Sequence, residues 1–302
     1  MKTQKFFSSV ILLSMLFVCE AFAASGDGGQ PGAFLRRGVG GRALAMGNAY
    51  TSISNDASSI YWNASGLSQM EKVELQAMYS ILTFDRQQLF VGVGGRISDA
   101  FALGAGWYKF GVSDIDGRDR AGNPTQKFDD SENSFMLAAG LRFGDIAVGV
   151  TGKYLSHSLA DKSATGFGLD LGASVSLFEL LSVGFVLQDI GAQLSWNTNS
   201  NLKETLPLTT RGGVAFEPDF IPIVLSTEVV KIGKGDIAFK AGGEYRIFDF
   251  FGVRAGYDGE NASFGGLVRV PVESFAVQLD YAATHDGLEE TFVHHIALSI
   301  FF

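Results

Sequence analysis

One cysteine, six prolines and a charged fraction of 18% are what this 302-residue chain has least of. The single Cys, Cys19, falls inside an amino-terminal leader. Once that leader is removed, disulfides, thiol nucleophiles and Cys-ligated metals drop out together. Net positive charge is absent as well. Removing Lys2, Lys5 and Glu20 with the leader takes the formal charge from −9 to −10, which argues against nucleic acid as a partner. Beyond the leader, no apolar run approaches the ~18 residues that a membrane helix needs. A membrane protein lacking such helices must be a closed barrel, because only closure satisfies every backbone group in lipid.

The leader itself is well formed. Lys2 and Lys5 precede the apolar run Val10 to Val18, and Ala21-Phe22-Ala23 fits an A-x-A cleavage site, so residues 1–23 read as an export signal. A lipid attached at Cys19 is the alternative, and bulky Val18 disfavours it. The remainder divides into a segment over 24–71 and a barrel over 72–302. Its 38 Gly and 26 Phe suit strands that pack side by side and anchor at interfaces.

From Lys72 onward the period is two. Ile237, Phe239, Ala241, Gly243 and Tyr245 alternate with Ala238, Lys240, Gly242, Glu244 and Arg246. The same split recurs over Phe250 to Asp258 and Ser274 to Ala282. Counting such stretches gives about fourteen strands, starting near residues 72, 87, 100, 132, 145, 164, 180, 207, 221, 236, 250, 261, 273 and 290, an all-β transmembrane antiparallel barrel. Tight connections at Ser98-Asp99, Gly144-Asp145, Phe178-Glu179, Pro218-Asp219, Phe248-Asp249 and Pro271 to Glu273 are expected on the periplasmic side. Long ones over 111–131 and 191–206 are expected outside, with a low outer rim near Lys234 and Gly259. Phe302 closes an alternating strand with Phe292, Ile296, Leu298 and Ile300, and looks like the signal read by barrel-insertion machinery. A soluble sandwich would instead bury the apolar face and would not need aromatics at strand ends.

With the apolar face given to lipid, Lys240, Arg246, Arg254 and Arg269 point into the lumen beside Glu228, Glu244, Asp258 and Asp280. A balanced set of charges can brace the wall or hold a plug, whereas an ion-selective pore favours one sign. The segment before the first strand is too long and too patterned for a simple linker. It contains GRALAMGNAYTSISNDASSIYWNASGL over 41–67. This stretch resembles the amino-terminal region of the PorV/PorQ family, relatives of the FadL long-chain fatty acid transporters. KSATGFGLDLGA (162–173), LLSVGFVLQDIGA (180–192), LPLTTRGGVAF (206–216), EYRIFDFFGVRAGYD (244–258) and LDYAATHDGLEETFVHHIALSIFF (279–302) continue the resemblance in order.

The resemblance implies a hatch folded into the lumen, carried by Gly40, Arg42, Ala43, Met46, Gly47, Asn55, Asp56, Tyr61, Trp62, Asn63 and Gly66. Glycines over 38–66 would let it approach the wall, while Tyr61 and Trp62 offer apolar bodies with polar tips. A periplasmic tail is the bland alternative. One departure stands out: Asn63-Ala64-Ser65 replaces the family's N-P-A, so the turn lacks a stiffening proline.

Catalytic chemistry is not evident. Gly38-x-Gly40-x-x-Ala43 lacks the preceding strand of a dinucleotide site, and adjacent His294 and His295 point to opposite faces of one strand. Asp114, Asp116 and Asp119 do not keep EF-hand spacing, because Gly117 comes too early. No metal, cofactor or enzyme activity is expected. The resemblance implies two functions. A PorV-like barrel would be a type IX secretion shuttle, binding secretion subunits and the carboxy-terminal domains of cargo. A FadL-like one would carry hydrophobic small molecules across the outer membrane. Lumenal faces rich in Gly, Ala and charge put the first reading ahead.

Overall fold

The computed structural model describes residues 30–302 except Glu179 and residues 288–290. The expected leader, residues 24–29 of the segment that follows it, and Glu179 of the expected Phe178-Glu179 turn lie outside the described residues. Fifteen strands form one antiparallel sheet. They are β1 (Glu74–Ile81), β2 (Arg86–Arg96), β3 (Phe101–Ile115), β4 (Phe128–Phe143), β5 (Ile146–Leu159), β6 (Lys162–Leu177), β7 (Leu181–Trp196), β8 (Lys203–Thr205), β9 (Thr209–Phe216), β10 (Ile223–Ile232), β11 (Ile237–Phe248), β12 (Phe251–Tyr257), β13 (Ala262–Val272), β14 (Phe275–Asp286) and β15 (Thr291–Phe301). The sheet closes on itself: β1 pairs with both β2 and β15, and β7 joins β6 to β9. Only three-residue β8 stands outside the ring, on the outer end of β7, which leaves a closed barrel of fourteen strands.

Alternation explains the wall. Outward positions carry apolar side chains, and Leu137 and Phe167 are 72% and 73% exposed. A belt of that kind would be untenable in water and is at home in hydrocarbon. It is bounded on one side by a cross-strand row of outward aromatics, Trp107, Phe135, Tyr154 and Phe167, with neighbouring ring centroids 5.3 to 6.3 Å apart. From Phe135 to Phe143, β4 covers the ~9–11 residues that a tilted strand needs to span a bilayer. Beyond the row, the outward positions become Lys109, Ser131, Asn133, Ser156, Ser158, Ser163 and Thr165, so β3–β6 rise out of the membrane.

That overhang corrects the expected long loops. Residues 111–115, 128–131 and 191–196 are strand, and the connections shrink to 116–127 and 197–208. Cross-strand hydrogen bonding continues past the point where the apolar alternation ends, and a pattern of hydrophobicity cannot register it. The outer turns at 82–85 and 160–161 are short as well, so strand overhang, more than loop length, sets the height of the rim. The rim is low at 233–236 and 258–261, as expected. Phe302 is 60% exposed, and its amide donates to the Val73 carbonyl (2.9 Å) beside the closing seam.

Candidate functional site: the filled lumen

Residues 30–71 run inside the ring of strands as short turns: 3-10 helices at Ala33–Arg36 and Ala64–Gln69, and α-helices at Gly41–Ala45 and Ser59–Trp62. Gly38 and Gly40 precede the helix Gly41–Ala45, Gly47 follows it and extended Asn63 ends Ser59–Trp62, and wall side chains supply the partners that the broken backbone needs. Gln88 Nε2 donates to the Gly38 carbonyl (2.6 Å), Ser263 Oγ accepts from Gly47 N (3.0 Å), and Glu74 accepts from Ala57 N (2.9 Å). Close approach is literal at Gly47, where φ is +62° and a Cβ would lie 2.4 Å from the Tyr257 nitrogen. Gly66 differs from expectation: its crowding is against the Ser54 carbonyl, within the segment itself.

The lumen has two unlike sides. On the wall from β1 to β5, Met78, Phe90, Tyr108, Met136 and Leu155 are buried and face inward. The expectation of a Gly, Ala and charge lumen missed them, because each sits on an inward face otherwise made largely of small and polar residues such as Gln76, Gln88, Gly106, Ser134 and Thr151. The missed side chains belong to one buried apolar cluster with Phe34, Tyr61 and Trp62. Tyr108 lies 5.4 Å from Phe34 and 5.9 Å from Tyr61, and its hydroxyl donates to the Phe34 carbonyl (2.9 Å). Trp62 Nε1 donates to the Val39 carbonyl (2.8 Å). Tyr61 donates to the Leu35 carbonyl and accepts from Gly38 N (3.1 Å). Burial pushes the Tyr61 phenol up to about 12, and it raises that of Tyr50 as well.

The opposite side is built of ion pairs. Arg42 reaches from the segment to Glu244 (Nε to Oε2, 2.8 Å) and donates to Asn55 Oδ1 (2.9 Å). Burial opposes the Arg42 charge, but Glu244, Tyr50 and Asp56 outweigh it, so the guanidinium is held firmly protonated. Arg254 ties Glu244 (2.7 Å) to Asp280 (2.5 Å) within the wall, and Arg246 adds a longer contact to Glu244 (3.3 Å). Glu228 accepts from the amides of Tyr50 (3.0 Å) and Thr51 (2.8 Å) and pairs with Arg211 (3.0 Å). Bracing the wall and holding the segment are therefore done by one network.

The remaining expected residues are placed as follows. Gly40 N faces Met78 Sδ (3.1 Å), and Ala43 and Met46 are fully buried. Asp56 accepts from Tyr50 Oη (2.6 Å). Asn63 replaces the missing proline's stiffening with side-chain bonds: Nδ2 to the Thr51 carbonyl (2.9 Å), and Oδ1 from Ser65 Oγ (2.7 Å). Lys240 lines the lumen at the outer end and Arg269 at the periplasmic end, the latter with its guanidinium 4.3 Å from the Phe301 ring centroid. Asp258 sits in a rim turn, where it accepts from the amides of Glu260 (2.9 Å) and Asn261 (2.8 Å). Arg211 and Gln188 were missed, as was the buried triad Lys153, Asp170 and Asp189, whose Nζ to Oδ1 distances are 2.8 and 2.5 Å. GLD, LQD and TRG on inward strand positions were the signal for them. His295 is buried between Ser80 and Thr284, while His294 faces outward to Tyr281.

Two chambers flank the segment. The outer one, about 340 Å³, is lined by Arg37, Leu44, Gly47, Lys240, Ser263 and His295 among others. The periplasmic one, about 300 Å³, includes Arg42, Gln76, Arg246, Arg254, Arg269 and Gln278.

No family model matches the sequence, and no curated protein matches it. Solved structures do. The Pseudomonas putida toluene transporter TodX superposes with a TM-score of 0.59 at 13% identity, covering 87% of this chain and 96% of TodX. A Pseudomonas aeruginosa FadL homologue gives 0.57 at 10% identity, with 86% and 97% covered. The fold is that of the FadL-like outer-membrane barrels. The outward belt and this fold together place the barrel in a bacterial outer membrane. The narrower PorV/PorQ resemblance rests on the sequence motifs alone.

Proposed function

We propose that the barrel carries small hydrophobic molecules across the outer membrane, with residues 30–71 as a hatch that must shift for them to pass. The observation that carries this reading is the divided lumen. A segment held against the barrel by hydrogen bonds, ion pairs and packing lies between an aromatic, apolar wall and a wall of ion pairs, so one side offers a hydrophobic path once the segment yields. The fold shared with TodX, a toluene transporter by its description, supports the same reading. The test is uptake of radiolabelled toluene by cells with and without the protein, with glycerol as the polar control. Faster toluene uptake with unchanged glycerol uptake is the expected result. Equal toluene uptake in both strains, with folded barrel present, would sink the proposal.

A secretion shuttle of the PorV/PorQ kind is the second reading. The ordered motifs over 41–67 and onward favour it, and the tall outer wall of β3–β6 offers a surface for cargo. Native mass spectrometry of the protein extracted from its own membrane separates the two, by whether a small apolar molecule or a cargo domain is retained.

A further inference from the structure

The outer and periplasmic chambers lie on the same side of the lumen. Strands β11, β13, β14 and β15 contribute to the lining of both. What separates them is thin. Leu44 and Gly47 line the outer chamber and Arg42 lines the periplasmic one, so the floor between them is the single short helix Gly41–Ala45 and the turn that follows it. The rest of the segment is anchored elsewhere: Thr151 Oγ1 donates to the Ile60 carbonyl (3.0 Å), Gln188 Nε2 to the Tyr61 carbonyl (2.8 Å), and Ser65 Oγ meets Ser174 Oγ (2.9 Å). The floor helix is held on this side by Arg42 to Glu244 and by Ser263, which accepts from Gly47 N and donates to the Ala45 carbonyl (3.1 Å).

From this placement we infer a second activity: a polar pathway for ions and small hydrophilic solutes, gated by the helix Gly41–Ala45 and latched by Arg42 on Glu244. Polar and charged side chains make up most of the pathway's lining, with Leu44, Val230, Val293, Met70 and Phe301 among the apolar exceptions. Glu244, Arg254 and Asp280 lie at its waist beside Arg42 and Gly41, and Arg254 Nη2 and Gln76 Oε1 are buried beside the periplasmic chamber without a hydrogen-bond partner among the described residues. Polar atoms left so are ready to meet water or a polar solute. Hydrophobic molecules would use the opposite, aromatic wall, so this activity stands apart from the transport proposed above. At the waist Arg42, Arg246 and Arg254 face Glu244 and Asp280, and removing Arg42 takes away one positive charge, which makes the opening less favourable to anions.

Single-channel recording of the purified protein in a planar bilayer in KCl, with no hydrophobic solute present, tests this. Wild type should show rare, brief openings. Arg42→Met should raise the time spent open by about tenfold or more, since charge-assisted hydrogen bonds close the latch, and shift the reversal potential toward potassium selectivity. Arg42→Lys keeps the charge and should open less, without the shift. Thr151→Val loosens the segment at the far wall and should stay as quiet as wild type. A silent Arg42→Met in folded barrel would overturn the inference. So would an opening with no change in selectivity, or equal opening in Thr151→Val, which would mean that the whole segment leaves. Because no hydrophobic molecule is involved, any of these failures leaves the toluene experiment untouched.

Discussion

Removing the Arg211 guanidinium should destabilise the protein through the charge it leaves behind. Arg211 and Glu228 have side-chain exposures of 2% and 0%, and their atoms meet at 3.0 Å. Breaking such a pair from one side costs about 3–5 kcal/mol, because the survivor is a buried charge with no counter-ion. Glu228 retains two amide donors, Tyr50 and Thr51, which places Arg211→Met at the lower end, about 3 kcal/mol. Glu228→Gln should cost a similar amount, since Arg211 then loses its counter-ion and keeps the neutral Gln188 Oε1 (2.7 Å) and the Trp62 ring. In the double variant neither charge remains, so the total should be about 4 kcal/mol rather than 6, a coupling of about 2 kcal/mol. Urea unfolding in lipid vesicles, followed by tryptophan emission, reads all four proteins. Trp62 is a suitable reporter, with the Arg211 guanidinium carbon 5.1 Å from its ring centroid. Additive costs, with coupling under about 0.5 kcal/mol, would show that this pair does not act as a unit and would refute the reasoning.

Three further outcomes are expected. Tyr61 is held at about 12 when folded against about 10 unfolded, so its contribution is complete below pH 10 and is lost as pH rises toward 12. Tyr61→Phe should flatten the fall in unfolding midpoint across that window, leaving the share of Tyr50, and an unchanged slope would count against the assignment. Gly66→Ala would bring a Cβ to within 1.7 Å of the Ser54 carbonyl, so it should loosen residues 54–66 at a cost of about 3 kcal/mol, seen as faster proteolysis in the segment with the barrel intact. Deleting Phe302 should lower the fraction of chain that reaches the heat-modifiable, folded form in the outer membrane, while refolding in detergent proceeds normally.

Much of the barrel is legible in the chain because a wall between lipid and a polar interior imposes a period of two. The strands expected near 236, 250 and 261 begin at Ile237, Phe251 and Ala262. The strand expected near 132 begins earlier, at Phe128, because FDDS carries no apolar alternation and its pairing is outside the membrane. The filled lumen is legible only by halves. Arg42, Glu228, Glu244, Arg254 and Asp280 are identifiable as inward charges, but nothing local pairs Arg42 with a residue 202 positions away. Met78, Phe90 and Tyr108 escape notice because their inward neighbours are polar residues or glycines (Gln76, Ser80, Gln88, Gly92, Gly106), and nothing local shows the aromatic segment that covers them. The Lys153 triad escapes for a related reason. Asp189 lies where the β6–β7 register shifts, and a shifted register breaks the count by which faces are assigned.

The most direct test of the account is hydrogen exchange of the protein in lipid nanodiscs, with and without toluene. Without it, the amides of Gly47, Tyr50, Thr51 and Ala57, each bonded to a wall side chain, should exchange as slowly as those of the strands. With toluene, these amides should exchange faster while β1–β7 and β9–β15 stay protected. Fast exchange in both conditions would put the segment outside the lumen, and protection unchanged by toluene would contradict its role as a hatch.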